Sequence, residues 1–176
     1  ISLLLSISNS ISNLQTQSFS KNSKIPFLFK EDNKGYVRSI TGILSQDNNS
    51  DIINATYTFI NENFDLFSIE NPKSQLKIIN EKFDRFNCKH LRLQQIYNGI
   101  PVFGRFFTSH FNSDNELASI ENDFIYGINI STMPSINHIQ AIEIANEEFN
   151  ISNSIASQPI LSIYTYNSTP VLTYQV

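Results

Sequence analysis

Three histidines and one cysteine are the side chains of this 176-residue chain that are best suited to metal or nucleophilic chemistry. Zinc hydrolysis needs two histidines four residues apart on a helix, a glutamate between them and a third ligand, which leaves one position open for water. His90, His110 and His138 are too far apart in sequence to form that motif. His90 and His110 fall on predicted strands that can pair, so a two-histidine site stands as an alternative to histidines that bond only to strand neighbours.

Other catalytic arrangements do not stand out in the sequence either. A single cysteine, Cys88, excludes an internal disulfide and any site with several thiolates, and a lone strand cysteine usually behaves as a small buried hydrophobe. Glu143, Glu147 and Glu148 fit the solvated face of a helix. We find no Ser/His/Asp arrangement and no glycine-rich phosphate loop. We therefore expect no catalytic, cofactor-binding or metal-binding residue in this chain.

The charge and hydropathy of the chain argue against two classes of partner. A net charge of −4 and a pI near 5.3 provide no basic surface for nucleic acid. Lys and Arg form no cluster that would attract an anionic membrane, and no apolar run reaches the roughly 18 residues of a membrane span. We expect neither nucleic acid nor a membrane as a partner.

Residues 1–24 are expected to be a signal-peptide remnant followed by a flexible leader. The run ISLLLSISNS is apolar and ends in small residues, like the tail of a secretory signal peptide, with cleavage after Ser10. A disordered Ser/Asn-rich end is the alternative interpretation. Residues 14–24 are polar and offer nothing to pack. The signal-like run predicts a secreted protein, extracellular or periplasmic.

Residues 89–123 predict a meander of three strands, around which the rest of the chain is organised. Asn98-Gly99 is the strongest short-range hairpin signal, because a type I′ turn needs positive φ at both central positions. Pro101 fits a strand start, and Gly104 inside the returning strand suggests a bulge or a close backbone approach. Alternate residues of the first strand share one face, namely Leu91, Leu93, Gln95 and Tyr97.

The segments before the meander predict a hairpin, a helix and an edge strand. Residues 25–29 and 36–44 alternate as a hairpin does. Residues 50–67 carry apolar side chains every three or four positions, which indicates an amphipathic helix packed on the meander. Residues 75–87 fit either a strand or a short helix, and we favour the strand. The helix is expected to be capped by Ser50 or Asp51 and to bury a stripe of Ile53, Tyr57, Ile60, Phe64 and Phe67.

The segments after the meander predict one helix and one hairpin. Ser135 or Asn137 can cap a helix that begins after Met133-Pro134. Residues 160–166 and 171–176 are expected to pair as strands. The apolar residues of this helix are Ile139, Ile142, Ala145 and Phe149.

The first strand and turn of the meander also resemble a known family. The run from His90 to Gly104 reads His-Leu-Arg-Leu-Gln-Gln-Ile-Tyr-Asn-Gly-Ile-Pro-Val-Phe-Gly, and His110, a polar turn and a return strand follow it. This pattern resembles the FTP domain, the fungalysin/thermolysin propeptide found in pro-regions of secreted thermolysin-like zinc metalloproteases. The helix and hairpin after the meander resemble, less specifically, the PepSY domain that follows FTP in such precursors.

The two resemblances imply an α+β fold of two small units, each an amphipathic helix packed on an antiparallel sheet, in a cystatin-like arrangement. We expect a leader in residues 1–24, an FTP-like domain in residues 25–130 and a PepSY-like domain, truncated at its C-terminal end, in residues 131–176. The chain would then be the N-terminal fragment of a longer precursor.

The resemblance implies that the chain is the propeptide of a secreted zinc metalloendopeptidase and acts as intramolecular chaperone and inhibitor of the protease domain. The partner would be that thermolysin-like domain, in cis or in trans, and zinc, with calcium as a further ion, would belong to it rather than to this chain. Candidate partner contacts are Arg92, Gln95, Tyr97, Ile100, Phe103 and Arg105. The motif residues expected to shape the fold are His90, Gly99, Pro101, Val102, Gly104 and His110.

A different functional class also fits these residues. FTP-like and PepSY-like units could form a free-standing secreted inhibitor or binding module without an attached catalytic domain. The coding sequence beyond Val176 would separate the two hypotheses, because a His-Glu-x-x-His helix in frame would indicate a protease precursor.

Overall fold

Strands outnumber helices in the part of the chain that this computed structural model describes, which is residues 14–17, 27–45, 51–150, 158–167 and 169–176. The strands are β1 (Leu14–Gln17), β2 (Phe27–Glu31), β3 (Val37–Ser45), β4 (Leu76–Phe83), β5 (Lys89–Tyr97), β6 (Ile100–Phe111), β7 (Leu117–Asn122), β8 (Ile160–Tyr166) and β9 (Thr169–Gln175). The helices are α1 (Ile52–Glu62), α2 (Phe64–Phe67), α3 (Pro72–Gln75) and α4 (His138–Phe149).

The main sheet has the strand order β1-β2-β3-β7-β6-β5-β4, and all of its pairings are antiparallel. The β8–β9 hairpin joins it through β6, where Val102 pairs with Ile163 in parallel. The strands of the two predicted units therefore meet on β6. The fold is mixed, with helices on an open sheet, as expected; the cystatin-like detail and the division into two units stay predictions.

The two turns of the meander have the predicted chemistry. Asn98 and Gly99 both have positive φ, at 49° and 83°, as a type I′ turn requires. In the second turn the Asn112 side-chain oxygen accepts hydrogen bonds from the backbone N–H groups of Asp114 and Glu116, at 3.0 and 2.9 Å. Asn and Gly are placed where the backbone needs them, so the strand register follows from local sequence.

A bulge at Gly104 redirects β6. Pairing with β5 is interrupted between Gln94–Phe106 and Ile96–Pro101, so that Gln95 alone lies opposite residues 102–105. Gly104 lies at φ 69°, and the Gln94 amide donates to the carbonyls of Val102 and Arg105 that the bulge exposes. The bulge frees Val102 to pair with β8, which confirms the predicted interruption at Gly104.

Helix α1 covers one face of the main sheet. The Thr56 and Ser109 hydroxyls lie 2.8 Å apart, and the Tyr57 hydroxyl donates to the Leu76 carbonyl at 3.0 Å. Asp51 caps the helix as expected, by accepting from two backbone N–H groups. The core between helix and sheet is Phe29, Val37, Ile40, Leu44, Ile52, Tyr57, Phe59, Ile60, Phe67, Ile69, Leu76, Leu91, Leu93, Phe107, Phe111, Leu117, Ile120 and Phe124.

The single helix predicted over residues 50–67 is interrupted. Helix α1 ends at Asn63, and the short helix α2 that follows buries Phe67. Because of this break the predicted stripe is wrong at Phe64, which is 45% exposed, whereas Phe59 is buried. Asn71 caps the start of α3, since its side chain accepts from the Ser74 N–H.

Two terminal expectations need correction. Residues 14–17, expected in a flexible leader, form β1 and pair with β2; the signal-like residues 1–10 lie outside the described residues.

Asn137 caps α4 with a capping box, as expected. However, α4 buries only Ala141, while Ile139 and Phe149 are 56% and 72% exposed. The predicted apolar stripe of this helix is therefore largely open, and Glu143, Glu147 and Glu148 are exposed as expected.

Candidate functional site

The β5–β6 hairpin carries every residue that the sequence singled out as a contact or motif residue, and it distributes them over two faces and a bulge. On the face opposite α1, which we call the open face, β5 presents His90, Arg92 and Gln94. The Arg92 guanidinium lies over the Phe106 ring, 3.7 Å from the ring centroid. The neighbouring positions of β6 and β7 on this face are Phe106, Thr108, His110, Ser119 and Glu121.

Gln95 lies inside the fold, not on a surface that a partner could reach. It is 2% exposed, and its amide donates to the Ile125 carbonyl at 2.8 Å and accepts from the Ile125 N–H at 2.9 Å. These bonds fix the segment that follows β7. The alternation of Gln95 with Leu91 and Leu93 is the sequence signal for this position, because all three point toward α1.

Tyr97 and Ile100 pair across the type I′ turn and are half-buried. Pro101 pairs with Ile96 at the start of β6, where a strand tolerates a missing N–H donor. Val102 is fully buried. At the turn end of the hairpin, Tyr97 and Ile100 are therefore accessible to a partner only in part, on either side of the exposed Asn98-Gly99 turn.

Phe103 and Arg105 lie in the bulge and contact β8. The Phe103 ring is 49% exposed, and its centroid lies 6.0 Å from that of Tyr164. Arg105 donates to the Thr165 hydroxyl from two guanidinium nitrogens, at 2.8 and 3.3 Å. Both side chains thus connect the main sheet to the β8–β9 hairpin.

Exposed apolar side chains continue from Phe103 onto the β8–β9 hairpin. Ile160, Tyr164 and Tyr166 lie on one face of β8, where the buried Ser162 separates Ile160 from Tyr164. Val171 on β9 lies opposite Tyr164. Sequence reasoning had not singled out these tyrosines, although the two-residue period of residues 160–166 places them together. We call the following five residues, each 45–66% exposed, the aromatic patch: Phe103, Ile160, Tyr164, Tyr166 and Val171.

The structure brings His90 and His110 together. They are directly opposite on β5 and β6, with their Nδ1 atoms 2.7 Å apart. Nε2 of His90 lies 3.4 Å from a carboxylate oxygen of Asp84. Burial lowers the pKa of His110, the charge of His90 lowers it further, and Glu121 acts in the opposite direction. The pKa of Asp84 is lowered by the Cys88 backbone N–H first, then by the Phe86 N–H and by His90, against desolvation, which raises it.

His90 and His110 are thus strand neighbours that bond to each other, which is the arrangement that the sequence analysis set against a two-histidine site. Among the residues that the structure describes, no group of three or more His, Cys, Asp or Glu side chains could hold a metal ion. His138 begins α4, away from this pair in the chain, and Cys88 is partly exposed with a free thiol. Nothing here bears on the metals of a separate protease domain.

A shallow open cavity of about 220 Å³ lies between the segment before α4 and the β8–β9 hairpin. Its lining is mixed apolar and polar: Ser131, Met133, Pro134, Ser135, Ile136, Leu161, Leu172 and Tyr174. In the described part of the chain, none of the helices has both the length and the apolar character needed to cross a bilayer.

Comparison with known proteins places one motif on this framework. The Fungalysin/Thermolysin Propeptide Motif (FTP) matches residues 74–124, which run from the end of α3 through β7. Bacillolysin from Brevibacillus brevis is 26% identical over 134 residues, which cover 68% of this chain and 25% of the relative. Thermolysin from Alicyclobacillus acidocaldarius is 26% identical over 133 residues, covering 68% of this chain and 24% of the relative.

Bacillolysin from Bacillus cereus is 26% identical over 88 residues, covering 48% of this chain and 16% of the relative. The matched region therefore spans about a quarter or less of the length of these relatives. The motif on β4–β7 and the similarity to bacillolysins and thermolysins together support the assignment of a thermolysin-like propeptide.

Proposed function

We propose that this chain acts as the propeptide of a secreted thermolysin-like zinc metalloendopeptidase, as intramolecular chaperone and inhibitor of the protease domain. The observation that carries the proposal is the propeptide motif over residues 74–124. The motif covers β4 to β7, four of the strands that contribute side chains to the core. In this proposal the catalytic zinc, and calcium if it is needed, belong to the protease domain.

The proposal needs a binding surface and no reactive group. A chain that binds the folded protease domain, and not the unfolded one, stabilises the folded state by mass action, by about 4 kcal/mol at a thousandfold excess over Kd. The same contact blocks hydrolysis if it covers the substrate cleft. Binding energy therefore supplies both the chaperone and the inhibitor role.

The aromatic patch is our candidate for the surface that contacts the protease domain. Phe103 lies inside the matched motif, and Tyr164 and Tyr166 extend its exposed apolar area onto β8. Aromatic residues such as tyrosine are enriched among the few side chains that contribute most of the binding energy of an interface. Tyr97, Ile100 and Arg105 lie on the same β5–β6 hairpin as Phe103, and Arg92 lies on the open face. Gln95 would act only by shaping the hairpin.

Two finer assignments belong to the same proposal. Helix α4 and the β8–β9 hairpin would be the PepSY-like unit that follows the FTP-like unit. The hairpin carries every residue of the patch except Phe103. The protein would be secreted, because the function requires the chain to accompany a secreted protease.

The test is inhibition of a thermolysin-like protease by the purified chain, with circular dichroism to verify that the chain is folded. We expect peptide hydrolysis by thermolysin or bacillolysin to slow as the chain is added. Excess zinc should not restore the rate, and a serine protease that cleaves the same peptide should be unaffected. Unchanged hydrolysis at a saturating concentration of folded chain would refute the inhibitory role.

The chaperone role has a separate readout. A protease domain unfolded in denaturant and diluted into buffer should regain more activity when the chain is present during refolding and is then removed by limited digestion. Equal recovery with and without the chain would contradict this half of the proposal. The two assays are independent, because a chaperone that releases its product does not need to inhibit it.

A further inference from the structure

The closest contact between ionisable groups in the meander is the one between the two imidazoles of β5 and β6. His90 and His110 are cross-strand partners, with Nδ1 facing Nδ1 at 2.7 Å. The rings are at 68° to each other with centroids 4.9 Å apart. This is a direct hydrogen bond between two histidines, the side-chain type that most often acts as a pH switch.

The number of protons on the pair decides whether this bond can exist. With both rings neutral, His110 can donate from Nδ1 to Nδ1 of His90, whose Nε2–H then points to Asp84. With one extra proton, His90 can donate from both nitrogens, to His110 and to Asp84. With two extra protons, every ring nitrogen carries hydrogen, so neither Nδ1 can accept. Two positive rings then face each other across the strand pair.

Four charged groups surround the pair on the described elements around it. Asp84 lies in the turn between β4 and β5, and Lys82 on β4 is paired with His90. Arg92 follows on β5, and Glu121 lies on β7. Asp84 favours a proton on His90 and Glu121 favours one on His110, while both cations oppose added charge. Ser119, opposite His110 on β7, is neutral.

We propose that His90 and His110 form a proton-operated clasp between β5 and β6, closed while the pair shares at most one extra proton and opened when both rings are protonated in mildly acidic solution. The first proton is accommodated because Asp84 is beside His90. The second must enter the His110 ring, where burial disfavours the charged form, next to a ring that is already charged. Opening loosens the end of the β5–β6 hairpin that lies away from the Asn98-Gly99 turn.

The clasp makes stability depend on pH in a defined direction. Burial and the charge of His90 depress the pKa of His110 in the folded chain, so the unfolded chain binds more protons there than the folded chain. The stability that depends on the unprotonated His110 is therefore fully present above about pH 6.5, the pKa of a histidine in the unfolded chain. It declines as the pH falls below that value. One proton of difference raises the unfolding equilibrium constant by up to about tenfold per pH unit.

The experiment is urea unfolding of the whole chain between about pH 8 and about pH 5, above the range in which ordinary carboxylates titrate. His90→Gln and His110→Gln each leave a single histidine at the clasp, which cannot form a doubly charged pair, and glutamine keeps a polar side chain on the strand. His138→Gln is the matched control, because His138 is exposed at the start of α4.

We expect the wild type and the His138→Gln control to lose stability in parallel as pH falls. In the two clasp variants the stability should depend less steeply on pH. For each pH unit of acidification, their unfolding equilibrium constant should rise less than that of the wild type, by a factor of up to about ten. Equal pH dependence in all four proteins would overturn the proposal.

Should a clasp variant fail to fold, NMR titration of the wild-type histidine rings decides the question. The clasp requires that the His90 and His110 signals respond to each other's titration and that the last proton binds below the usual range for histidine. Two rings that titrate independently, each near about 6.5, would refute it.

Discussion

At the scale of single residues, the amide of Gln95 shows how one polar side chain can hold a backbone segment. Three side chains fix the path after β7: Gln95 at Ile125, Asn122 at the Phe124 N–H, and Arg38 at the Phe124 carbonyl. The ring of Tyr126 then stacks on Tyr36, with centroids 3.9 Å apart. These side chains connect three strands that are distant in sequence.

Replacement of Gln95 by Met should destabilise the chain by about 2 kcal/mol, because the Ile125 N–H and carbonyl lose their partners while the side-chain volume is kept. Lys77→Met is the control, since Lys77 is exposed on β4, and it should change stability by no more than about 0.5 kcal/mol. Urea unfolding measures both. Equal effects would mean that the Gln95 bonds contribute nothing beyond those of a surface side chain.

The second prediction at this scale concerns Phe103. Phe103→Ala should weaken inhibition of a thermolysin-like protease about tenfold or more, the loss typical of a central aromatic contact, at little cost in stability. Phe86→Ala is the matched control, because Phe86 is equally part of the matched motif and is 66% exposed. If both variants inhibit like the wild type, the aromatic patch is not the contact surface.

At the scale of elements, the bulge at Gly104 has a conformational requirement. Its φ of 69° favours glycine, while a Cβ placed there would meet no atom within 4 Å. The strain of a substitution is therefore in the backbone and not in packing.

Gly104→Val should accordingly cost more stability than Gly104→Asn, by about 1 kcal/mol, because asparagine tolerates the left-handed region and a β-branched residue does not. The midpoint of urea unfolding measures the difference. Equal costs for the two variants would show that the bulge relaxes to ordinary strand geometry when glycine is absent.

The break between α1 and α2 shows a limit of predicting helices from the sequence. The Asn63 side chain donates to the Phe59 carbonyl at the point where α1 ends, and the change of direction moves Phe64 to the surface and Phe67 into contact with Phe107, with ring centroids 5.4 Å apart. An apolar period of three and four residues ran through this break. Periodicity alone therefore could not locate it.

At the scale of the whole molecule, the two sheets differ in how much core supports them. The main sheet lies against the extended core described above, whereas the buried apolar residues outside that core are Val102, Ala141 and Ile163, among the described residues. The hairpin β8–β9 joins β6 at a single pairing of Val102 with Ile163. Few buried contacts allow an element to open without the rest.

Hydrogen exchange should therefore show two levels of protection. The amides of β8 and β9 should exchange faster than the paired amides of β5 and β6, because the hairpin can detach while the main core stays intact. Binding of the aromatic patch to a protease domain should raise the protection of β8 and β9 selectively. Equal protection of both sheets in the free chain would mean that the molecule opens only as one unit.

Local sequence determined the meander of this protein and its turns. Asn98-Gly99 and Asn112 supply conformations and hydrogen bonds within a few residues, so the meander and its register could be predicted without knowing the rest of the fold. The same holds for the interruption at Gly104 and for the cap at Asn137. The residues of the FTP resemblance lie in this locally determined part of the chain.

Only the tertiary structure decided which of these residues are accessible and which meet. Gln95 is buried because Ile125, thirty residues later, supplies its partners, and Phe103 joins an exposed patch because a bulge brings β6 to β8. Such contacts depend on backbone paths far apart in sequence, and residue types and spacing do not specify those paths.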